Sequence, residues 1–298
     1  MIEHRPTAGD RGGRWPDADS MGRHETSIGS GVGLSPPLGW VGTYFERGQV
    51  AAFSLLFFST IQGMIQHIGI VPCSAEGAAL CYRTICTEGA QFLGPHAHPE
   101  VSMHTPPLAE YVQRIDRGDW QGVDELMLAS ANKLAAMGAN FLICPDNTIH
   151  QALPFVEPKS PLPWLNIAEV VAAQAAARGF RCLGLTGTRS LVESDVYPKM
   201  LAAHGLKYVR PSDQERREIH RIIMDELVYG VIRPRAVAYH QRVIAGLKDR
   251  GCDAVVLGCT EIPLIMNDTN SPLPTLDSAR LLARAALRRA VEGANRTA

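Results

Sequence analysis

Neither sign of charge is in excess: 29 Lys and Arg stand against 30 Asp and Glu, a formal net charge of −1. With no basic surplus to neutralise phosphates, no nucleic-acid partner is expected. The chain lacks any C-x-x-C pair, which removes zinc-ribbon and thioredoxin-type readings. Its cysteines number seven, so they do not close into a full set of disulfides. Most of them are expected as buried thiols in the reducing cytoplasm, with one or two reactive. The apolar run Val50–Ile61 falls short of the ~20 residues a membrane span needs, so no membrane partner is expected. A phosphate-binding G-x-x-x-x-G-K-[ST] loop is absent, and no dinucleotide fingerprint follows a strand.

What is present is a core-forming composition. The 298 residues are 46% apolar and 20% charged, enough for two α/β domains. The length is not uniform in character, however. Of 27 glycines, 11 fall in the first 63 residues, where no helix or strand period is sustained. At Met64 the pattern changes to MIQHIGIVPCS, which reads as a start followed by a buried strand. Residues 1–63 are therefore expected to stand outside the fold as a disordered extension. A native start near Met64 is the preferred explanation, ahead of a genuine extension or a targeting segment.

From there, short β-rich runs alternate with helical stretches. His67–Val71 and Glu100–His104 read as strands, with a helix near Ala78–Gly89 between them. Trp120–Met137 carries a helical apolar period that Gly138 ends, and Asn140–Cys144 reads as a buried strand. The order then recurs: strand Arg181–Thr188, helices Val192–Ala203, Asp213–Leu227 and Ala236–Asp249, strand Asp253–Gly258. Strand–helix–strand alternation predicts parallel sheets covered by helices, and the recurrence predicts an internal duplication joined near Pro154–Pro163. The boundaries expected are 64–165, 166–272 and a C-terminal segment 273–298 that packs back on the first half. Its helix, Ser278–Glu292, has one apolar face and one bearing Arg280, Arg284, Arg288 and Arg289, read as solvated.

Ligands of open α/β sheets bind beyond the carboxyl ends of the strands. Those ends read CPDNT at Cys144–Thr148 and GCTEI at Gly258–Ile262. Each joins a proton-transfer side chain to hydroxyls and to backbone amides entering a helix, a setting that favours carboxylates and depresses thiol pKa values. If the halves face each other, Asp146 and Cys259 flank one cleft.

On these residues the chain resembles the aspartate/glutamate/hydantoin racemase superfamily. GCTEIPLIM at 258–266 looks like its second catalytic-cysteine motif, and Asn147–Thr148 like the end of the first. GTRSLVESDVY at 187–197 and LPTLDSA at 273–279 also look like family segments. The resemblance runs from Met64 to Leu287, about three quarters of the chain. It implies an α/β fold of two similar Rossmann-like (flavodoxin-like) subdomains. Each would hold a parallel four-stranded sheet, the pair related by a pseudo-twofold, with the active site between them. It further implies an amino-acid racemase or epimerase that uses neither pyridoxal phosphate nor any other cofactor, and a small amino acid or related carboxylate as substrate. A homodimer is one assembly open to it.

The implied mechanism removes the Cα proton on one face and returns one on the other, because a planar intermediate inverts only when reprotonated from the opposite side. Here Cys259 keeps the second cysteine, but Asp146 stands where the first would be, and Cys144 lies two residues too early. Ordinary pKa values of Asp and Cys differ by ~4.6, or ~6 kcal/mol of proton affinity. Desolvation and a neighbouring thiolate would both raise Asp146 toward a useful range. Three roles for Asp146 stay open: second acid/base, holder of a substrate ammonium or hydroxyl, or mark of lost turnover. They correspond to a racemase, to a one-base lyase or isomerase (decarboxylase or cis–trans isomerase type) using Cys259 alone, and to a non-catalytic ligand-binding homologue.

Asn147, Thr148, Thr260, Ser74, Thr188 and His104 are the expected substrate contacts, although Asn, Ser and Thr in these places also serve as helix caps or turn hydroxyls. His150 would orient Asp146 or pack on its helix. His96, His98 and His104 (HAHPEVSMH) invite a zinc reading, but no further ligand is fixed by spacing, and no metal is expected.

Overall fold

The structure, a computed structural model, describes residues 65–295; the expectations for residues 1–63 and for a start at Met64 lie outside that range. Strand β1 (Ile68–Ile70) leads to α1 (Ala75–Glu88), and β2 (Val101–Met103) to α2 (Leu108–Asp116) and α3 (Trp120–Ala136). β3 (Phe141–Ile143) then reaches β4 (Trp164–Leu165) through short helical turns. After α4 (Ile167–Ala177) the order restarts with β5 (Cys182–Thr186), α5 (Val196–Ala203) and β6 (Lys207–Val209). α6 (Asp213–Asp225), α7 (Pro234–Asp249), β7 (Ala254–Leu257), β8 (Thr275–Asp277) and α8 (Ser278–Asn295) complete it.

The strands form two parallel four-stranded sheets, ordered β2-β1-β3-β4 and β6-β5-β7-β8. The shared order is the duplication read from the sequence. In the first sheet Gly69 sits between Ser102 and Leu142; in the second, Gly184 sits between Val209 and Val255. In such an order the chain leaves the first strand in opposite directions, and a crevice opens at the carboxyl ends of the two middle strands. That crevice lies beyond β1 and β3 in one half, and beyond β5 and β7 in the other.

The halves exchange their last helices. α4 follows β4 of the first sheet, yet Ala168, Val171, Ala172 and Ala175 pack with Leu183, Leu185 and Leu276 of the second. α8 follows β8 of the second sheet, yet Leu282, Ala283, Ala286 and Ala290 pack with Ile68, Ile70, Phe141 and Ile143 of the first. Each sheet is therefore covered by a helix supplied by the other half, which ties the halves into one folding unit. Leu282 is fully buried in this seam. Leu282→Ala should cost ~2–5 kcal/mol, read as a shift of a single denaturant transition monitored by both tryptophan fluorescence and circular dichroism. Two separated transitions would contradict the exchange as a source of cooperativity.

The arginine face of α8 is more than solvated. Arg284 pairs with Glu88 at 2.8 Å, Arg280 pairs with Asp277, and the Arg289 guanidinium lies 4.5 Å from the centroid of the Phe141 ring. Among the described residues no helix is long and apolar enough to cross a membrane.

Candidate active site

Asp146 lies four residues beyond Leu142, the β3 partner of Gly69, and Cys259 four residues beyond Val255, the β7 partner of Gly184. Equal register puts the two side chains at equivalent places in the two halves. Both line one cavity, together with Ser74, Asn147, Thr148, Thr188 and Thr260. Of the residues singled out from the sequence as substrate contacts, only His104 is not on that wall.

Two hydroxyl pairs join the halves across the cavity. Ser74 and Thr188 are the N-caps of α1 and of the turn 189–192, accepting from Gly77 N–H at 3.3 Å and Leu191 N–H at 3.2 Å. Ser74 Oγ also lies 3.1 Å from Thr260 Oγ1, and Thr188 Oγ1 lies 2.9 Å from Thr148 Oγ1. Capping and facing the cleft thus coexist. Gly77 allows the first approach: a Cβ there would stand 2.4 Å from the Pro145 carbonyl oxygen and 2.9 Å from Thr260 Cγ2. The first turn of α1 rests directly on both loops.

The first of these pairs continues into a buried carboxyl group that the sequence patterning did not single out. Glu261 Oε2 accepts from Thr260 Oγ1 at 3.1 Å and from the Cys259 thiol at 2.9 Å. Because Thr260 donates to Glu261, Ser74 donates to Thr260, and every hydrogen in the row points at the carboxylate. Burial, followed by the charge and hydrogen bond of Glu261, pushes the Cys259 thiol well above its ordinary range. Cys259 therefore rests protonated, with a base beside it.

Across the cavity, Asp146 Oδ1 accepts from Ile149 N–H at 3.1 Å. Burial pushes this carboxyl up to about 6, assisted by the charge of Glu261 and opposed by the Ile149 and Thr148 amides and by the neighbouring Cys73 thiol. Cys73 also lines the cavity and was not among the expected site residues. Cys144, the cysteine nearer in sequence, is buried and directs its thiol to the Asp146 carbonyl oxygen at 3.7 Å.

His150 acts through the backbone. Its Nε2 accepts from Ile167 N–H at 3.1 Å, so Nδ1 carries the proton and donates to the Asp146 carbonyl at 2.7 Å. Burial holds its pKa down to about 4, which keeps the ring neutral. Asn147 is committed in a similar way. It accepts from Tyr197 OH at 2.7 Å and donates to Ser278 Oγ at 2.9 Å, and Ser278 donates to the carbonyl of Leu257. The side chain of Asn147 thereby locks the Asp146 loop to the strand that carries Cys259.

His104 belongs elsewhere. Lys133 Nζ donates to its Nε2 at 2.8 Å, and its Nδ1 pairs with Ser130 Oγ at 2.9 Å, pinning the end of β2 to α3. His98 Nδ1 meets the Pro99 carbonyl, and His67 meets Ser102. Among the described residues no three His, Cys, Asp or Glu side chains gather as metal ligands would.

An apolar stretch of the wall is formed by Leu108, Val112 and Ile115 from α2, Ile223 and Met224 from α6, and Val228 beyond it. Asp116 and His220 are also on the wall. Among the described residues that line the cavity there is no lysine or arginine. Sequence patterning marks α6 only as a helix over Asp213–Leu227, with no residue assigned to the site, and α2 was not recognised at all. Glu261 carried a legible signal, a carboxylate two residues after a cysteine within GCTEI. Cys73 carried a weaker one, its place in the turn after β1.

A model of the Asp/Glu/hydantoin racemase family matches residues 71–286. The broad-specificity amino-acid racemase RacX of Bacillus subtilis is 21% identical over 191 residues, 63% of this chain and 80% of RacX. A glutamate racemase of Thermus thermophilus is 31% identical over 160 residues; the match takes in 52% of this chain and only 56% of that enzyme. Among solved structures, a candidate Asp/Glu racemase from Yersinia pestis superposes with a TM-score of 0.70 at 30% identity, covering 76% of this chain and 100% of that one. The chain belongs to the Asp/Glu/hydantoin racemase family, and with it to the isomerases.

Proposed function

We propose that the protein racemises or epimerises an amino acid with an uncharged, apolar side chain, moving protons at Cα between Cys259 on one face and Asp146 on the other. The observation that carries this reading is the placement of those two groups at equivalent register in opposite halves, on the wall of one cavity. Abstraction from one side leaves a planar carbanion or enolate, and delivery from the other side inverts it. The cap hydroxyls Ser74, Thr148, Thr188 and Thr260, with the amides at the start of α1, suit the substrate carboxylate and the enolate charge that develops on it.

The side-chain specificity follows from the wall. An aspartate or glutamate substrate would bring a second carboxylate to a cavity whose described lining holds Asp116, Asp146 and Glu261 and no Lys or Arg. An aliphatic substrate side chain instead meets Leu108, Val112, Ile115, Ile223, Met224 and Val228. The name of the RacX relative, a broad-specificity amino-acid racemase, is compatible with a wall that selects by apolarity rather than by one charged contact.

Incubation with single amino acids in heavy water tests both parts. Neutral aliphatic amino acids should take up Cα deuterium and lose enantiomeric excess, at least tenfold faster than aspartate or glutamate. Preference for the acidic substrates would overturn the specificity. Exchange with complete retention would favour one-base chemistry by Cys259. Tight binding without exchange would identify a ligand-binding protein.

A further inference from the structure

We infer that Cys73 is a catalytic residue, the thiol that exchanges the Cα proton on the first-half face, with Asp146 as the base behind it. The inference rests on the two-face reading above and refines its first-half face, placing Cys73 between Asp146 and Cα so that Asp146 acts through the thiol. Its starting point is that the cleft holds two thiols, not one. Cys73 and Cys259 line the same cavity from opposite halves, each buried, with 4% and 8% of its surface exposed. The Cys259 thiol donates to Glu261 at 2.9 Å, and Cys73 lines the cavity beside Asp146, near enough for each to shift the protonation of the other.

The two carboxylates are held alike. Glu261 accepts a second hydrogen bond from Thr260, and Asp146 accepts from Ile149 N–H at 3.1 Å. A carboxylate pinned by fixed donors keeps its position and its charge preference, which suits a stationary base. A thiol suits the other task, because it is close in proton affinity to a carbon acid activated in a site. The thiol absent from position 146 is thus supplied from the loop after β1, and the cleft carries a thiol–carboxylate pair on each face.

In one direction of turnover, the Asp146 carboxylate takes the proton of the Cys73 thiol. The thiolate takes the Cα proton, and the electron pair of the broken C–H bond passes into the substrate enolate. The Cys259 thiol then gives its proton to the opposite face, the electron pair returns to form the new C–H bond, and Cys259 is left as thiolate. One proton has passed from the second pair to the first through the substrate. Exchange with water, or the reverse turnover starting from Glu261 and Cys259, restores the enzyme.

The test uses the full chain with Cys73→Ser and Cys73→Ala, checked for folding by circular dichroism and thermal unfolding. Each enantiomer of a neutral aliphatic amino acid is incubated in heavy water. Cys73→Ser should lose on the order of 10²–10⁴-fold in racemisation in both directions. It should still wash deuterium, with retention, into the one enantiomer whose Cα proton faces Cys259. A merely structural role for Cys73 would not separate these two readouts. Racemisation by folded Cys73→Ala within about threefold of the parent would overturn the assignment alone, leaving Asp146 to meet Cα directly. Loss of exchange from both enantiomers in a folded Cys73→Ser protein would also overturn it. A parent enzyme that exchanges only with retention would overturn the two-face reading together with this one.

Discussion

Cys259→Ala should abolish inversion, lowering turnover by ~10²–10⁴-fold, the usual worth of a positioned acid–base group. The geometry makes this the cleanest single substitution in the site. The thiol is the one group on the second-half face that both lines the cavity and has a base, Glu261, at 2.9 Å. Glu261 keeps its bond from Thr260 in the variant, so the carboxylate is not left without a donor. Loss of one sulfur from a small buried side chain should leave stability within ~1 kcal/mol of the parent. Activity and fold are therefore expected to separate, which initial rates of optical rotation change and a denaturant titration would show on the same preparation. Cys259→Ser should behave almost as badly, since a hydroxyl at that place would hold its proton far more tightly than the thiol. Undiminished turnover in Cys259→Ala would sink the two-face assignment.

Much of this site was legible because its residues lie at strand ends. The apolar runs at β1, β3, β5 and β7 announce buried parallel strands, and the residues just after each run must face the crevice. Asp146, Cys259 and the hydroxyls of Ser74, Thr148, Thr188 and Thr260 were reachable in that way. The apolar wall of the cavity was not, because Ile223 and Met224 occupy a helical face whether they meet core or substrate. His104 shows the opposite failure: a strand-end histidine whose two nitrogens are both satisfied by α3, through Lys133 and Ser130. Cys73 was hidden by its isolation in sequence, 73 residues from the aspartate beside which it lines the cavity. Only folding brings the turn after β1 beside the turn after β3.

Asp146→Asn should uncouple stability from activity in opposite directions. Burial and the charge of Glu261 raise the Asp146 carboxyl to about 6, against the amides that favour its ionised form. A raised carboxyl pKa means that the folded state binds the proton more tightly than the unfolded chain does. The cost is absent below about pH 4, where both states are protonated, grows as pH rises between about 4 and 6, and is complete above that. At its full extent it is on the order of 3 kcal/mol, an upper bound. The amide should thus stabilise the protein at pH 8 by up to that amount and change little at pH 4, as paired denaturant titrations would reveal. Equal effects at the two pH values would mean that the buried carboxylate is not the source of the cost. Activity should move the other way. The parent should lose turnover as pH falls through about 6, because protonation removes the carboxylate that serves the first-half face. The variant should show little turnover at any pH and no such limb, since an amide accepts no proton. A destabilised carboxylate retained at the centre of the cleft is what a site held for proton transfer, rather than for packing, would contain.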